Sequence, residues 1–581
     1  MTTPPPPRFR AHLLVVLHGL WGSPSHVRYI GESALKHHGP SSSDDSKAVR
    51  LVVLNAKLNE FTATYDGIDL CAERVLHELD QEVERIEHEG GTVERFSIVG
   101  YSLGGLVARY VLGLLDSRTP SFFDHVRPVN FATFASPAIG IPSYETFWSS
   151  VFRFLGARLL SRSGAQLYEN DRFLPSQFNP SSPDYSIPTP SDEDLGPNQS
   201  RFSFGRRRGG GGGGGRRKKK EQAEPLLKIL ADPEFSFYRA LAKFERIEVF
   251  ANTVNDRTVP FPTGAFELHD PFALARAKAR KAAEQRGDDP EGDLDFRDGG
   301  LEIILHEDAP IVSSYRVLDA TANEPGPQRK RRFNVRLPLL LRPTTYPFPR
   351  AVSLVVIALL PVALPLSVVV LVARFLVQGR DSKRRIRALR AETAGDRGRA
   401  GMLERVGVRV REVAEQVGGV AGPDTPEYAA AGDLVSSDSS GGEDDDDEQD
   451  ALLSSSSTSR FRDERTPATS GASTPALLRG GSPPRHLDDP APTDSTATNT
   501  SDREQAPYHA EARQYSTDPV FTASQRYQLA QLNALPQLRK HFVYLPQSRN
   551  SHGAIVRRSP EFEQHRIGTK VVDWWARQFV L

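Results

Sequence analysis

The sequence predicts an α/β fold, with a mostly parallel sheet covered by helices on both faces, a hydrophobic insertion and long disordered insertions. Three observations predict it. Short apolar runs alternate with amphipathic stretches through the N-terminal part of the chain, and strand–helix alternation with short connections builds parallel sheets. One of those runs enters a helix through the turn Gly100-Tyr-Ser-Leu-Gly104. Tracts rich in proline, glycine and serine break up the ordered stretches, and 45 Gly and 44 Pro among 581 residues point to a folded part nearer ~300 residues.

The expected partition follows composition. Residues 1–9 form a flexible start, and 10–172, 225–320 and 521–581 are three parts of one core. Residues 173–224 are a disordered insertion, 321–418 a membrane-associated segment and 419–520 a disordered acidic linker. Lys plus Arg equals Asp plus Glu at 73 each, so net charge gives no argument for a nucleic-acid partner. The single cysteine, Cys71, excludes an intramolecular disulfide and a multi-cysteine zinc site. Met1-Thr-Thr-Pro-Pro-Pro-Pro lacks a basic region followed by an apolar core, so no secretory signal is expected and the N-terminus is placed in the cytosol.

In chain order, Leu13-Leu-Val-Val-Leu-His-Gly19 reads as a buried strand leading into His18-Gly-Leu-Trp-Gly22. Small residues there let the backbone approach a reacting carbonyl, which assigns one oxyanion donor to the Leu20 N–H; a plain strand-ending turn is the alternative. Arg50 to Ala56 is a second buried strand. After the turn Thr64-Tyr-Asp-Gly-Ile68, a helix carries Ile68, Cys71, Val75, Leu79 and Ile86 on one face. Cys71 lies on that stripe and reads as core, since a reactive thiolate needs an electropositive, partly exposed setting.

Phe96-Ser-Ile-Val99 gives the next strand, and Leu103 to Leu114 the helix after it. A serine in a Gly-x-Ser-x-Gly turn between strand and helix is held at the tip of a strained bend. Ser102 is therefore the candidate nucleophile, with the Leu103 N–H as second oxyanion donor. Pro128 to Ala135 is a further strand. The tract 173–224, with Arg206-Arg-Arg, seven glycines and Arg216-Arg-Lys-Lys-Lys220, has too little apolar surface to order itself.

Order returns at Leu226, and Arg246-Ile-Glu-Val-Phe-Ala-Asn-Thr-Val-Asn-Asp256 is a strand running into an acid. In an α/β-hydrolase the acid follows a late strand at the nucleophile's edge of the sheet, which makes Asp256 the candidate third member; a turn cap is the alternative. Ala351 to Ala373 is uncharged and long enough to cross a bilayer, with Pro361 and Pro365 at its middle and basic residues on both flanks. A single crossing would part Ser102 from anything downstream. The expectation is therefore a hairpin or interfacial insertion bent at the prolines, with a buried core helix as alternative and a basic helix reaching Val417 along the surface. The stretch from Asp424 to about Thr517, with Glu443-Asp-Asp-Asp-Asp-Glu448, reads as unfolded.

The C-terminal sixty or so residues regain apolar periodicity. In Asn550-Ser-His-Gly-Ala-Ile-Val556, His552 precedes a closing amphipathic helix and is the candidate base, placed in an exposed loop. His541, beside an apolar strand, and His565, in a charged stretch, are its rivals. The order Ser102, Asp256, His552 is that of α/β-hydrolases. This chemistry calls for no cofactor and no metal.

Taken together, Leu13-Leu-Val-Val-Leu-His-Gly-Leu-Trp-Gly, Thr64-Tyr-Asp-Gly-Ile, Ile98-Val-Gly-Tyr-Ser-Leu-Gly-Gly-Leu, Asn255-Asp-Arg-Thr-Val-Pro and Ser551-His-Gly-Ala-Ile-Val resemble a known family. The chain is similar to the fungal serine esterases of the lipase-like α/β-hydrolases, whose relatives include the yeast lipid-droplet phospholipase. That resemblance implies Ser102, Asp256 and His552 as triad, a lipid ester as substrate, and a membrane or lipid-droplet surface as the place of action, with the endoplasmic reticulum membrane as another and the catalytic part facing the cytosol. An acyl-protein thioesterase or acyltransferase with the same triad, and a non-catalytic membrane scaffold, are the competing readings.

Overall fold

Leu13 to Leu17 are apolar at every position, which leaves their strand no solvent face. In the computed structural model they lie in β1 (Phe9–Leu17), paired on both sides inside a sheet. Residues 9–39, 49–174, 223–286, 294–318, 350–395, 512 and 514–581 are described. After β1 come α1 (Arg28–His38), β2 (Val49–Asn55), α2 (Ile68–His88), β3 (Gly91–Tyr101), α3 (Leu103–Asp116) and β4 (Arg127–Phe134). Then follow α4 (Phe147–Leu159), α5 (Ser161–Leu167), α6 (Leu226–Ala231), α7 (Ser236–Ala242), β5 (Arg246–Asn252), α8 (Phe261–Ala265) and α9 (Pro271–Arg286). The series closes with β6 (Leu301–Leu305), β7 (Val312–Val317), α10 (Arg350–Gly395), α11 (Ala523–Asn533), β8 (Leu538–Val543), α12 (Ser551–Ala554), α13 (Glu563–Arg566) and α14 (Gly568–Gln578).

Six strands form one sheet in the order β2-β1-β3-β4-β5-β8, every neighbouring pair parallel. This is the expected α/β fold. Alternate residues of β1 serve two cores. Leu13 and Val15 face the helices α2, α3 and α7 through Val75, Leu106 and Phe237, while Leu14 and Val16 face α1 and α14 through Ile30 and Trp575. The strand order reverses between β1 and β3, so the chain segments leaving their carboxyl ends diverge and open a crevice there. Both the loop bearing Leu20 and the turn bearing Ser102 leave from those ends.

Three elements differ from expectation. The strand expected at Phe96–Val99 runs from Gly91 to Tyr101, because Gly91 to Arg95, polar in part, still pair with β1 from Phe9 to His12, a backbone pairing that hydrophobicity alone does not mark. The apolar segment expected to bend at Pro361 and Pro365 is one continuous helix, α10. The prolines stand four residues apart on one helical face, and neighbouring turns carry the helix past the two missing N–H groups. An antiparallel hairpin, β6–β7, was not anticipated; its strands are half exposed and mix polar with apolar residues, which weakens any alternating signal.

Residues 514–520, assigned by composition to the acidic linker, sit against the core. Val520 N–H donates to Ser143 O at 2.7 Å, and Asp518 Oδ2 lies 2.7 Å from His269 Nδ1. The proline-rich start, the basic poly-glycine tract within 175–222, the segment 319–349, and 396–511 with the rest of the basic helix and the acidic run lie outside the described residues.

Candidate active site

The turn after β3 places Ser102 at φ 54° and ψ −124°, a conformation costing a non-glycine residue ~1–3 kcal/mol and kept only where its surroundings impose it. Here the glycines impose it. A Cβ on Gly100 would stand 2.4 Å from the Gly105 backbone, and one on Gly104 would stand 2.5 Å from Leu17 O. Strand, helix and the end of β1 therefore meet at a distance only hydrogen atoms allow. Ser102 N–H donates to Phe134 O at 2.9 Å, which fixes the bend to β4.

The loop after β1 lies directly on the serine. A Cβ on Gly19 would be 2.6 Å from Ser102 Cβ, so the Leu20 amide follows the point of closest approach. Leu103 opens α3, and the first N–H groups of a helix have no carbonyl one turn back. Leu103 thus follows Ser102 directly, and Leu20 follows the glycine that packs on it. The loop is fastened from outside: Trp21 Nε1–H donates to Tyr65 Oη at 2.6 Å, Trp21 N–H to Thr64 Oγ1 at 3.2 Å, and Phe61 N–H to Gly22 O at 2.9 Å. His18 is buried behind it, with Nδ1 3.0 Å from Gly19 O. A carbonyl only accepts, so Nδ1 carries the proton. Burial pushes this imidazole down to about 4, which keeps it neutral.

His552 Nε2 lies 3.0 Å from Ser102 Oγ, and its Nδ1 lies 3.0 Å from Asp256 Oδ2. The three predicted residues form one hydrogen-bonded line. Because a carboxylate only accepts, Nδ1–H donates to Asp256 and Nε2 is left to accept from the serine hydroxyl. All three side chains are almost wholly buried. Burial alone would raise the Asp256 carboxyl, but the His552 charge and hydrogen bond, followed by the Val259 N–H and Asn252 amide, hold it below its ordinary value. Its Oδ1 accepts from Thr258 N–H and Val259 N–H at 3.0 and 2.8 Å, and its Oδ2 from Asn252 Nδ2 at 2.8 Å. The two readings of Asp256 coexist: one oxygen caps the following turn and the other meets the histidine.

His552 is not in an exposed loop as expected. It stands buried in the single helical turn α12, because that turn is stitched to the acid loop. Ser551 Oγ donates to Val254 O at 2.6 Å, Ser551 N–H to Asn255 O at 3.1 Å, and Asn255 Nδ2 to Ser548 O at 2.9 Å. Tyr101 Oη donates to His552 O at 3.1 Å. Sequence reasoning missed Asn252, Asn255, Ser551 and Tyr101. A usable signal existed for Asn255, whose φ of 59° suits asparagine far better than a β-branched residue. The rival histidines are placed elsewhere: His541 lies on β8 with Nε2 3.4 Å from Glu248, and His565 Nδ1 accepts from Ser559 N–H. Burial lifts the Cys71 thiol to about 12. Among the described residues, no group of three or more His, Cys, Asp or Glu is arranged to hold a metal.

Residues 8–267 match the family model described as "Putative serine esterase (DUF676)". Over these residues the chain is similar to that serine esterase family. The match ends beyond Asp256 and before His552, so it covers the nucleophile turn and the acid strand. Among curated proteins, the chain is 25% identical over 327 residues to "Putative lipase C4A8.10" of Schizosaccharomyces pombe, covering 54% of this chain and 33% of the relative. It is 25% identical over 266 residues to "Putative lipase ROG1" of Saccharomyces cerevisiae, covering 45% and 30%. A second protein of that yeast, "Putative lipase YDR444W", is 25% identical over 267 residues, covering 45% and 33%. The matched part spans about a third of the length of these relatives. The matched region supplies strands β1 to β5 of the sheet, which carry Ser102 and Asp256, and the C-terminal strand β8 brings His552 to it.

Proposed function

We propose that the chain is a lipid-directed serine hydrolase, cleaving a carboxylic ester through an acyl-serine intermediate. The observation that carries this is the line Ser102 Oγ, His552, Asp256 at the tip of a strained turn, with the Leu20 and Leu103 amides beside it. In the mechanism, Ser102 Oγ attacks the acyl carbonyl as its proton passes to His552 Nε2. Asp256 stabilises the imidazolium, and the two amides hold the tetrahedral oxyanion. The alkoxide leaves with the proton from His552. Water, losing a proton to the same nitrogen, then attacks the acyl-serine; the acyl–Oγ bond breaks, His552 returns the proton to Ser102 Oγ, and the fatty acid departs.

The lipid part of the reading rests on α10. Leu359, Val362, Leu366, Val369 and Val370 are 58–70% exposed there, an apolar surface that water disfavours and a bilayer accepts. Helix α4, whose Phe147 and Phe154 are exposed, packs beside it. Cations at Arg374, Arg380, Lys383 and Arg384 follow the apolar stretch, the charge pattern that suits anionic headgroups. Both ends of this insertion join one body: β7 precedes it on the core, and its far end is ion-paired to the core at Asp66. The helix therefore enters a membrane or lipid-droplet surface from one side instead of separating Ser102 from His552. The lipase names of the yeast relatives agree with a lipid ester as substrate.

One labelling experiment tests both parts. Membrane-supplied protein, its Ser102→Ala variant and a variant lacking residues 354–372 are fractionated and treated with a fluorescent fluorophosphonate. The parent should label and pellet with membranes, Ser102→Ala should pellet without labelling, and the deletion should label in the soluble fraction. Equal labelling of Ser102→Ala would overturn the nucleophile. Undiminished pelleting of the deletion variant would overturn the membrane helix.

A further inference from the structure

The base of α10 reaches the active site through a chain of buried contacts. Asp66, wholly buried, closes the short, tight helix Phe61–Asp66. It is gripped from two sides. Arg74 Nη2, from α2, lies 2.5 Å from Asp66 Oδ2, while Arg385, from α10, places Nη2 2.8 Å from Oδ1 and Nε 3.1 Å from Oδ2. Arg385 Nη2 also donates to Thr62 O at 2.8 Å. Arg74 has its own anchors, Ala63 O and Asn59 Oδ1, so α2 holds the turn whether or not α10 is seated. Burial would raise the Asp66 carboxyl, but Arg74 and then Arg385 keep it below its ordinary value.

This turn is the same one that fastens the oxyanion loop. Thr64 and Tyr65 hold Trp21, and Phe61 holds Gly22. On its other face, Trp21 meets α10 directly, its ring 5.7 Å from that of Phe375. Phe375 is 6% exposed, while Leu376 and Val377 beside it are half exposed, so the helix buries one chosen ring against the loop. Leu20 precedes Trp21, and Trp21 has φ 54°, a backbone state that needs support from its surroundings.

We infer that the base of α10 is a positioning element for the oxyanion loop, acting through Arg385 on the 61–66 turn and through Phe375 on Trp21. A helix that touches neither Ser102 nor His552 thereby sets whether the Leu20 amide faces the reacting carbonyl. Loss of one oxyanion donor costs on the order of 10²–10³ in turnover, and a loosened donor costs part of that. Seating of the apolar helix in a lipid surface and readiness of the active site are thus linked by contact. The inference rests on the serine-hydrolase reading above.

The test uses full-length, membrane-supplied protein and p-nitrophenyl butyrate, a soluble ester that does not need the lipid surface. For Arg385→Met, kcat should fall roughly tenfold to a hundredfold with KM within about twofold, while the membrane pelleting is retained. Arg385→Lys should recover part of the loss, since an ammonium restores the charge without the two-pronged grip on Asp66. Phe375→Leu, which keeps apolar volume and removes the ring against Trp21, should lower kcat in the same way by a smaller factor. Amide hydrogen exchange at Leu20–Gly22 should quicken in Arg385→Met. Parent-like kcat together with parent-like exchange in both Arg385→Met and Phe375→Leu would overturn the inference. If the parent itself hydrolyses no ester, the esterase reading fails; the exchange comparison then still decides the coupling, with quickening at Leu20–Gly22 supporting it and no change refuting it.

Discussion

The nucleophile turn takes its geometry from ten consecutive residues, 96–105, whereas its acid and base come from positions 296 residues apart. At Ser102 the strained bend, the close strand–helix approach and the free helix amide all arise from where the glycines fall. At Asp256 and His552 nothing local makes a catalytic pair. Parallel pairing of β5 with β8, from Ile247 beside Leu538 to Asn252 beside Val543, sets the two following loops side by side. Polar stitches from Ser551 and Asn255 then complete the alignment. One half of the site is built by steric exclusion and the other by sheet register. They should therefore fail differently.

Breaking the register-built half at its carboxylate should have the largest effect. Asp256→Asn is nearly isosteric, but its amide cannot hold the Nδ1–H tautomer of His552, so turnover should fall by ~10⁴ with little change in the unfolding midpoint. A fall below tenfold in the ester assay would show that the imidazole is oriented by other groups. The locally built half should break through its fold instead. Gly100→Ala drives a methyl into the Gly105 backbone, and overpacking of this kind costs ~1–3 kcal/mol. Denaturant unfolding should show that loss together with a fall in activity; parent-like stability would mean that the strand–helix contact has slack.

A smaller effect sharpens the comparison beneath the nucleophile strand. His12 on β1 is buried with Nε2 2.7 Å from Ser97 Oγ of β3, and burial pushes its pKa down to about 3, with Arg95 and His38 adding to the shift. In the unfolded chain it returns to ~6.5. As pH falls below that value the unfolded state binds a proton that the native state refuses, so native stability is lost progressively until the native histidine itself titrates. Between pH 6.5 and 5 this amounts to roughly 2 kcal/mol. Relative to the parent, His12→Gln should gain about that much over the interval. A difference that stays flat with pH would place the proton on buried His12 already at pH 6.5.

Legibility in the sequence followed the same division. Ser102, Leu20 and Leu103 could be named from contiguous motifs, because glycine spacing is itself the cause of the geometry. Asp256 and His552 could be named from chain order, but the sequence placed His552 in an exposed loop where the structure buries it in α12. That burial depends on hydrogen bonds between segments far apart in the chain, which no local window contains. The continuous course of α10 through Pro361 and Pro365 escaped for a related reason: proline's cost in a helix depends on what surrounds it. Asn252, Ser551 and Tyr101 act only through partners supplied by the tertiary structure.

The α/β alternation, the strained serine turn and the apolar character of α10 were all legible in the chain, as products of interactions within a few residues along it. The tertiary structure alone decided that His552 meets Ser102 from a buried helical turn, how Asp256 serves both a turn and an imidazole, and that Arg385 reaches back across 319 positions to Asp66. The physical reason is range. Steric exclusion and hydropathy act between neighbours in sequence, whereas a hydrogen bond or ion pair between distant segments exists only after the sheet has set their positions.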